Sequence, residues 1–275
     1  MLAHYENNDS QMFRLDKLGN MNVAPHMHKH PEVIYILAGE IAVTVDGRER
    51  LLCGGDAALC FPNCVHSLTS KSDGLMFILI VDIQLTGDFA KMLLKYTPED
   101  PFIPKERIHP DLPRCLDTIY ALFDKFFDME EDRDYHKLVV KGYLQVIFAR
   151  LMAAVTLTEA DDAAFTALIK NALDYILKNF KDSALSLRRL ADHLKVSDQY
   201  LSAVFSRKVG TSYSKYLNSC RILYARQQII QTELPIRDIA KESGFTDIRN
   251  FNRVFKKVTG ITPSECRGRH MTPGK

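Results

Sequence analysis

The sequence predicts a multi-domain β plus α protein with an N-terminal β-barrel, a helical middle region and an all-α C-terminal domain. Three observations support this fold class. Short β-rich runs divided by turn residues fill residues 1–83. Amphipathic stretches of helical period follow in residues 84–157. A pattern of two short helices then occurs twice between residues 187 and 267, and such a repeat indicates a duplicated structural unit.

Composition and charge agree with this organisation. The 275 residues suffice for two domains, and 46% apolar with 25% charged residues is typical of a globular protein. The polar N-terminus and the lack of an apolar run of about 18 residues predict a cytoplasmic protein without a membrane partner. Residues 183–275 hold 17 basic and 7 acidic side chains, while the remainder holds 19 and 27. This asymmetry indicates a duplex-binding domain carried by a body that does not touch DNA.

The first predicted element is a small barrel or jelly roll. Glycine, proline and asparagine separate its β-rich runs, and Asp46-Gly47 between two alternating runs is a hairpin signal. Many short strands at regular spacing favour a closed β architecture, whose mouth can hold one small ligand. The predicted strands are residues 33–37, 41–47, 49–52, 57–61 and 75–81.

A cluster of residues with metal-ligand chemistry lies in this barrel. His26, His28 and Glu32 form the pattern H-x-H-x3-E, and His66 follows in the segment FPNCVH. Two imidazoles and a carboxylate around one cation leave coordination positions open. These segments resemble the two cupin motifs, and the resemblance implies the same four residues as metal ligands. The chain departs from the motif at Cys64, where a glycine is expected.

Three interpretations of these histidines stay open. In the first, they bind a divalent metal ion. In the second, no cofactor is required, and the imidazoles act as hydrogen-bonding partners of a sugar or a similar polar effector. In the third, they are strand-end residues without a role. For a ligand pocket, the candidate binding residues are His26, His28, His30, Glu32, Tyr35 and His66.

The six cysteines are expected to be free thiols, as in a cytoplasmic protein, and none forms a C-x-x-C pair. Cys53, Cys60 and Cys64 with His66 offer an alternative, soft metal cluster. The surrounding apolar residues favour ordinary strand positions for these cysteines instead.

Two long helices are predicted after an irregular, proline-rich loop at residues 98–113. The second helix is apolar over more than one face, which exceeds the need of a lone surface helix. It either packs against its neighbour and the barrel or mediates self-association into a homodimer. An acidic linker follows. The predicted domains are a barrel (1–83), a helical dimerisation region (84–157), a linker (158–164) and a C-terminal helical domain (165–275).

The repeated unit of the C-terminal domain has the pattern of two helices around a tight turn. In the first copy, Ser197 is the predicted N-cap of the second helix and Gly210 ends it. In the second copy, Thr246 and Gly260 take these positions. This is a helix-turn-helix geometry, whose second helix can enter a major groove. The apolar stripes consist of Leu187, Leu190, Ala191, Leu201 and Phe205 in the first copy and Ile236, Ile239, Ala240, Phe251 and Phe255 in the second.

The faces opposite these stripes carry DNA-binding chemistry. Arg249, Asn250 and Arg253 suit base edges, because a guanidinium fork matches guanine and an amide matches adenine. Lys256 and Lys257 suit phosphates. The face of the first copy is less basic, and its candidate contacts are Gln199, Ser202, Arg207 and Lys208.

One long helix is predicted between the copies, over residues 212–232, which contain no proline or glycine. About 20 residues at a rise of 1.5 Å span roughly 30 Å, close to one duplex turn of about 34 Å. Such a rigid spacer can place two helices in successive major grooves on one face of the DNA.

The C-terminal pattern as a whole resembles the AraC/XylS-type DNA-binding domain. The resemblance covers residues 164–269 and includes the signature GF-x-D-x-x-x-F-x-R-x-F-K-x-x-x-G-x-TP at residues 244–263. It implies a transcriptional regulator, an activator or a repressor, whose partners are double-stranded promoter DNA, a small-molecule effector, RNA polymerase and a second copy. By position, it implies base-edge contacts from Gln199, Ser202, Ala203, Arg249, Asn250 and Arg253.

Two other functional classes are alternatives. A metal-dependent cupin enzyme fused to a regulator would use the His/Glu cluster, but no second acid–base pair stands out in the sequence. A DNA-binding protein with a purely structural dimerisation domain would respond to no ligand. The duplicated basic helices favour a ligand-responsive regulator, and we expect no enzymatic activity.

Overall fold

The computed structural model describes residues 13–19, 21–126, 133–160 and 163–271. The chain divides into two compact units, one that holds most of the strands and the helices up to Thr166, and one that holds the helices from Ala167 onwards together with Val23–His26. The first is rich in strands and the second is helical, which confirms the predicted β plus α fold class. No helix in these described ranges is long and apolar enough to cross a membrane.

Antiparallel strands dominate the N-terminal part of the chain. The described residues contain a five-stranded, a four-stranded and a two-stranded sheet. The strands are β1 (Phe13–Gly19), β2 (Asn22–His26), β3 (Glu32–Ala38), β4 (Glu40–Val45), β5 (Arg48–Cys53), β6 (Ala57–Cys60), β7 (His66–Ser70), β8 (Leu75–Val81), β9 (Tyr96–Pro98), β10 (Phe102–Ile103) and β11 (Leu157–Glu159). The sheet orders are β1-β8-β3-β6-β10, β2-β7-β4-β5 and β11-β9.

The β4–β5 hairpin shows how local sequence sets the register of the strands. Asp46 and Gly47 have φ values of 47° and 79° and connect Val45 to Arg48, which pair directly. Positive φ at both central residues defines a type I′ turn, whose twist matches that of the flanking strands. The hairpin predicted from the Asp-Gly pair is therefore confirmed.

Three helices share a core with the five-stranded sheet. They are α1 (Ala90–Lys95), α2 (Leu112–Phe126) and α3 (Arg133–Ala153). Val33 and Tyr35 of β3 lie in one apolar cluster with Leu116 of α2 and Phe148 of α3. Because side chains alternate along a strand, Glu32 faces the opposite side of β3, where it is also buried. The third strand is therefore buried on both faces.

Two short strands lie where the sequence predicted irregular chain. β10 pairs with β6 inside the predicted loop, and β11 pairs with β9 in the first part of the predicted linker. The chain thus returns to the sheets after residue 83. Pro101 and Pro104 flank β10, and their presence led to the prediction of a loop there, although an edge strand tolerates such neighbours. Residues 161 and 162 of the predicted linker fall outside the described residues.

Helices make up the C-terminal part of the chain. Those described are α4 (Ala163–Asn179), α5 (Leu187–Leu194), α6 (Asp198–Val209), α7 (Tyr213–Gln231), α8 (Ile236–Glu242), α9 (Ile248–Thr259) and α10 (Pro263–Met271). Ser197 caps α6 by accepting the N–H of Tyr200. Gly210 and Gly260 end α6 and α9 in the left-handed conformation, as the repeat predicted.

The N-cap of α9 corrects one prediction. Asp247 caps this helix instead of Thr246, and its carboxylate accepts the backbone N–H groups of Arg249 at 3.2 Å and Asn250 at 2.9 Å. A carboxylate offers two oxygens to two such donors, and its negative charge suits a helix N-terminus. The cap therefore lies one residue later than predicted, directly before the candidate DNA contacts.

Candidate functional site

Helix α9 exposes the predicted DNA contacts on its outer face. Phe251 and Phe255 on its inner face are buried in a cluster with Ile239 of α8. This packing fixes the rotation of α9 about its axis. The predicted contacts are all exposed, namely Arg249, Asn250, Arg253, Lys256 and Lys257.

Two of these contacts are joined by a hydrogen bond. A guanidinium N–H of Arg253 donates to Oδ1 of Asn250 at 2.8 Å. This bond restrains both side chains on one face of the helix and leaves further N–H donors on each. Clustered donors of this kind match the acceptor atoms of purines in a major groove.

Helix α6 presents a smaller contact face. Gln199, Ala203 and Arg207 are exposed, and Ser202 is half-buried. Lys208 is only 9% exposed, so the structure does not support its predicted role as a DNA contact. It lies on the same helical face as the buried apolar stripe, where a lysine can bury its alkyl stem but offers little of its charge to a phosphate.

One unbroken helix joins the two helix-turn-helix units. α7 has 19 residues and is therefore about 28 Å long. The hydroxyl of Ser212 caps its start by accepting the N–H of Lys215, and the helix ends at Thr232. The predicted continuous spacer is thus present.

A cleft beside the second helix-turn-helix contains cations that the sequence patterns did not single out. Its volume is about 870 Å³, and its lining includes Lys181, Arg237 and Lys241 together with Asp238 and Asp247. Arg237 and Lys241 lie four residues apart on α8 and so share a face. This spacing could have marked them as candidate phosphate contacts.

The barrel brings the predicted histidines together around one carboxylate. Oε2 of Glu32, the first residue of β3, lies 3.0 Å from Nε2 of His28 and 3.2 Å from Nε2 of His66. The rings of His28 and His66 meet edge to face, with centroids 4.9 Å apart. With one ligand atom from each, His26, His28, Glu32 and His66 have their candidate donors within 4.8 Å of one another.

The second nitrogen of each ring is directed at the backbone. The Nδ1 atoms of His26, His28 and His66 lie 3.1, 2.8 and 3.2 Å from the carbonyl oxygens of residues 24, 30 and 64. A carbonyl only accepts, so each Nδ1 carries hydrogen in these contacts and each Nε2 is the ligand atom. Metal-binding histidines are commonly oriented in this way, so the four residues fit a divalent metal ion.

The same contacts support charged groups in the metal-free cluster. Burial opposes ionisation of Glu32, but the charge on His66 and hydrogen bonds from both imidazoles hold the pKa of this carboxyl well below its ordinary value. Burial also opposes protonation of His66, and the Glu32 carboxylate outweighs it and raises the pKa of His66 well above the ordinary value. The cluster can therefore hold a buried ion pair.

The other two predicted pocket residues, His30 and Tyr35, lie outside the group of candidate metal ligands. His30 is buried beside His28, with ring centroids 6.3 Å apart, and its backbone carbonyl accepts the hydrogen bond from His28. Tyr35 packs in the cluster between β3 and the helices, on the face opposite Glu32. The prediction that Tyr35 lines the pocket is therefore corrected, because its position is an odd number of residues from Glu32.

Two of the three clustered cysteines form a second group next to His66. Cys60 and Cys64 are buried, and Sγ of Cys64 lies 3.8 Å from Nδ1 of His66. The hydrogen bond between the two thiols, with help from His66, lowers the pKa of Cys64 to about 6 and raises that of Cys60 well above its ordinary value. Cys53 is exposed on β5, which removes it from the soft cluster considered in the sequence.

Comparison with protein-family models identifies both regions. Residues 17–82 match the cupin domain, and residues 190–269 match a helix-turn-helix domain. The first match spans the strands that carry the His/Glu cluster, and the second spans α6 to α9 with their exposed contact residues.

Parts of this chain are similar in sequence to known proteins. The arabinose operon regulatory protein of Escherichia coli is 31% identical over 133 residues, which are 48% of this chain and 45% of that protein. The uncharacterized HTH-type transcriptional regulator YtdP of Bacillus subtilis is 28% identical over 55% of this chain and 19% of its own length. The matches thus span less than half of either relative.

A solved structure shares the fold over almost the whole chain. The structure of ToxT from Vibrio cholerae has a TM-score of 0.52 and 16% sequence identity, and the match covers 95% of this chain and 100% of that one. At this identity, the likeness concerns the fold alone.

Proposed function

We propose that the chain, which joins a cupin domain to a helix-turn-helix domain, is a transcriptional regulator of the AraC type that binds specific promoter DNA through α6 and α9 and senses a small polar metabolite in the barrel. The main observation behind this proposal is the exposed face of α9, which is rich in hydrogen-bond donors. Helix α6 has a similar face with fewer basic side chains. A rigid spacer of about 28 Å supports the binding of two successive major grooves.

Replacing Arg253 with alanine is expected to weaken DNA binding by about 5- to 150-fold and to relax specificity at one base position. A bidentate arginine–guanine contact contributes about 1–3 kcal/mol of discrimination. The operator is first selected from a random duplex library with the full chain. Affinities for this duplex and for its single-base variants are then measured by fluorescence anisotropy at fixed salt.

The matched control is Lys257→Ala on the same helix. If Lys257 contacts phosphate, its loss weakens binding evenly across sequences and lowers the salt slope by about one unit. An Arg253→Ala protein with unchanged affinity and base preference would remove Arg253 from the interface. Failure of the full chain to enrich any duplex would contradict DNA recognition itself.

We propose a metal-free pocket at the His/Glu cluster as the effector site, with the imidazoles and the carboxylate as hydrogen-bonding partners for a sugar or a similar polyol. The sequence similarity to a protein named for the arabinose operon supports a sugar panel as the starting point. A matching sugar is expected to raise the melting temperature, because a ligand at 100 times its Kd stabilises the folded state by about 2.7 kcal/mol. Differential scanning fluorimetry measures the shift, and no response to any compound would favour a structural dimerisation domain.

A divalent metal ion is the alternative occupant of the pocket. His26, His28, Glu32 and His66 would hold it, and it would supply open coordination positions for effector oxygens. In that case, a chelator abolishes the effector-induced stabilisation. Turnover of a cupin-type substrate would instead favour the enzyme alternative, for which the relatives, both named as regulators, offer no support.

We also propose that the chain forms a homodimer through α3. Its inner face lies in the barrel core, whereas Leu138, Val139 and Val146 on its other side are exposed and Gly142 has open space beside it. This apolar stripe supports a symmetric contact with a second copy. RNA polymerase as a partner, activation of transcription and a cytoplasmic location stay predictions from the family resemblance and the sequence.

A further inference from the structure

The β3–β6 ladder and one tight turn bring two thiols to the interior of the barrel. Cys60 pairs directly with Glu32, so both side chains point to the same face of the sheet. The chain then turns between Phe61 and Cys64, whose N–H donates to the Phe61 carbonyl at 3.2 Å. Asn63 has a φ of 62°, the left-handed value that the third position of a type II turn requires. This turn brings Cys64 back towards Cys60.

The two thiols and His66 have distances suited to one metal ion. The ligand atoms of Cys60, Cys64 and His66 all lie within 4.8 Å of one another, and all three residues are buried. In a tetrahedral site with bonds of about 2.3 Å to sulfur and 2.0–2.1 Å to nitrogen, neighbouring donors are roughly 3.5–3.8 Å apart. Closure around a cation therefore requires no pair of donors to approach by more than roughly 1.3 Å.

Nε2 of His66, the ring nitrogen that would not bind the metal ion, already lies beside the carboxylate of Glu32, which can orient the ring. Nδ1 faces Sγ of Cys64 at 3.8 Å, while Nε2 lies 3.2 Å from Oε2 of Glu32. With a metal ion on Nδ1, the Nε2–H donates to this carboxylate and fixes the ring, an arrangement common around metal-bound histidine. The His/Glu pocket uses His66 through Nε2 instead, so the two donor sets require different tautomers of one residue.

We propose that the barrel binds a thiophilic cation of the Zn²⁺ and Cu⁺ class through Cys60, Cys64 and Nδ1 of His66, with Glu32 as the residue that orients His66. Two thiolates and one imidazole select this class over Mg²⁺ or Ca²⁺. One coordination position stays open in a tetrahedral site, and binding releases the thiol protons. Occupation of this site withdraws His66 from the donor set of the neighbouring His/Glu pocket.

Cobalt titration of the reduced, metal-free full chain tests the proposal. Co²⁺ replaces Zn²⁺ in tetrahedral sites, and a thiolate ligand gives it a sulfur-to-metal charge-transfer band in the near ultraviolet. We expect this band at one equivalent of Co²⁺ and its loss on addition of Zn²⁺. The variants C60S and C64S, nearly isosteric with the parent, are expected to lose the band, and circular dichroism checks that they remain folded.

Two further variants separate the competing sites. C53S removes an exposed thiol outside the donor set and is expected to keep the band. H28Q removes a donor of the His/Glu pocket alone and is also expected to keep it. A charge-transfer band that survives in C64S would overturn the proposal. So would cobalt binding that shows no thiolate band and is lost only in H28Q, because the ion would then occupy the His/Glu pocket. The absence of cobalt binding would also overturn it. DNA binding is measured separately, so its failure leaves this readout intact.

Discussion

Replacement of Glu32 with alanine is expected to destabilise the metal-free protein by about 3–5 kcal/mol. The side chain is buried with its carboxylate between His28 and His66, and removal of one partner from a buried ion pair leaves an uncompensated charge. Urea unfolding of the full chain, followed by circular dichroism, measures the change. Glu32→Gln is the matched control, because it keeps the shape and one carbonyl acceptor, and we expect a smaller loss.

The pH dependence of the same comparison gives a second check. The lowered pKa of Glu32 contributes stability that is present above the ordinary pKa of 4.5 and lost as pH falls through the folded-state value. The raised pKa of His66 contributes stability that is present below the ordinary pKa of 6.5 and lost as pH rises through the folded-state value. The difference between the wild type and Glu32→Ala is therefore largest between these two ordinary values. A difference that does not change with pH would contradict the ion pair.

Gly244→Ala is expected to destabilise the second helix-turn-helix by about 3 kcal/mol, the sum of backbone strain and overpacking. Gly244 has a φ of 86°, and a Cβ there would lie 2.7 Å from the carbonyl oxygen of Phe180 and 2.9 Å from Nε of Arg221. That nitrogen donates to the same carbonyl at 2.8 Å, so the methyl group would separate a buried hydrogen-bonded pair. Urea unfolding and hydrogen exchange of the α8 and α9 amides measure the loss.

Gly260→Ala provides the control for backbone strain. Gly260 has a similar φ of 79°, but a Cβ there would have no atom of the described residues within 4 Å. The expected cost is about 1 kcal/mol, since only the left-handed conformation is penalised. Equal losses in the two variants would show that the contact with Phe180 and Arg221 adds nothing.

Patterns that span a whole helix predicted this fold accurately, whereas signals confined to a few residues did not. Duplicated apolar stripes and glycine stops defined α6 and α9, because these patterns repeat and occupy whole helices. Strands β10 and β11 have two and three residues, too few for any period to register. The cap of α9 was displaced because Thr246 and Asp247 are both good capping residues, and only the tertiary path of the turn selects between them.

The same distinction applies to the candidate site. The spacing of His26, His28 and Glu32 was sufficient to predict their proximity, and His66 joins them through the fold. Tyr35 lies an odd number of residues from Glu32, and this alternation along the strand already indicated that it faces away from the pocket. Lys208 was misplaced because a charged residue on an apolar stripe is read as exposed until packing shows otherwise.

Burial of β3 on both faces makes this strand a partition one residue thick. Glu32 stands on its pocket side, while Val33 and Tyr35 on its other side touch the layer to which α3 belongs. Close-packed interiors transmit small displacements instead of absorbing them. A molecule that moves the pocket wall by a fraction of an ångström therefore displaces the apolar layer that supports the exposed stripe of α3. No long chain of intermediate residues is needed to transmit this change to the surface.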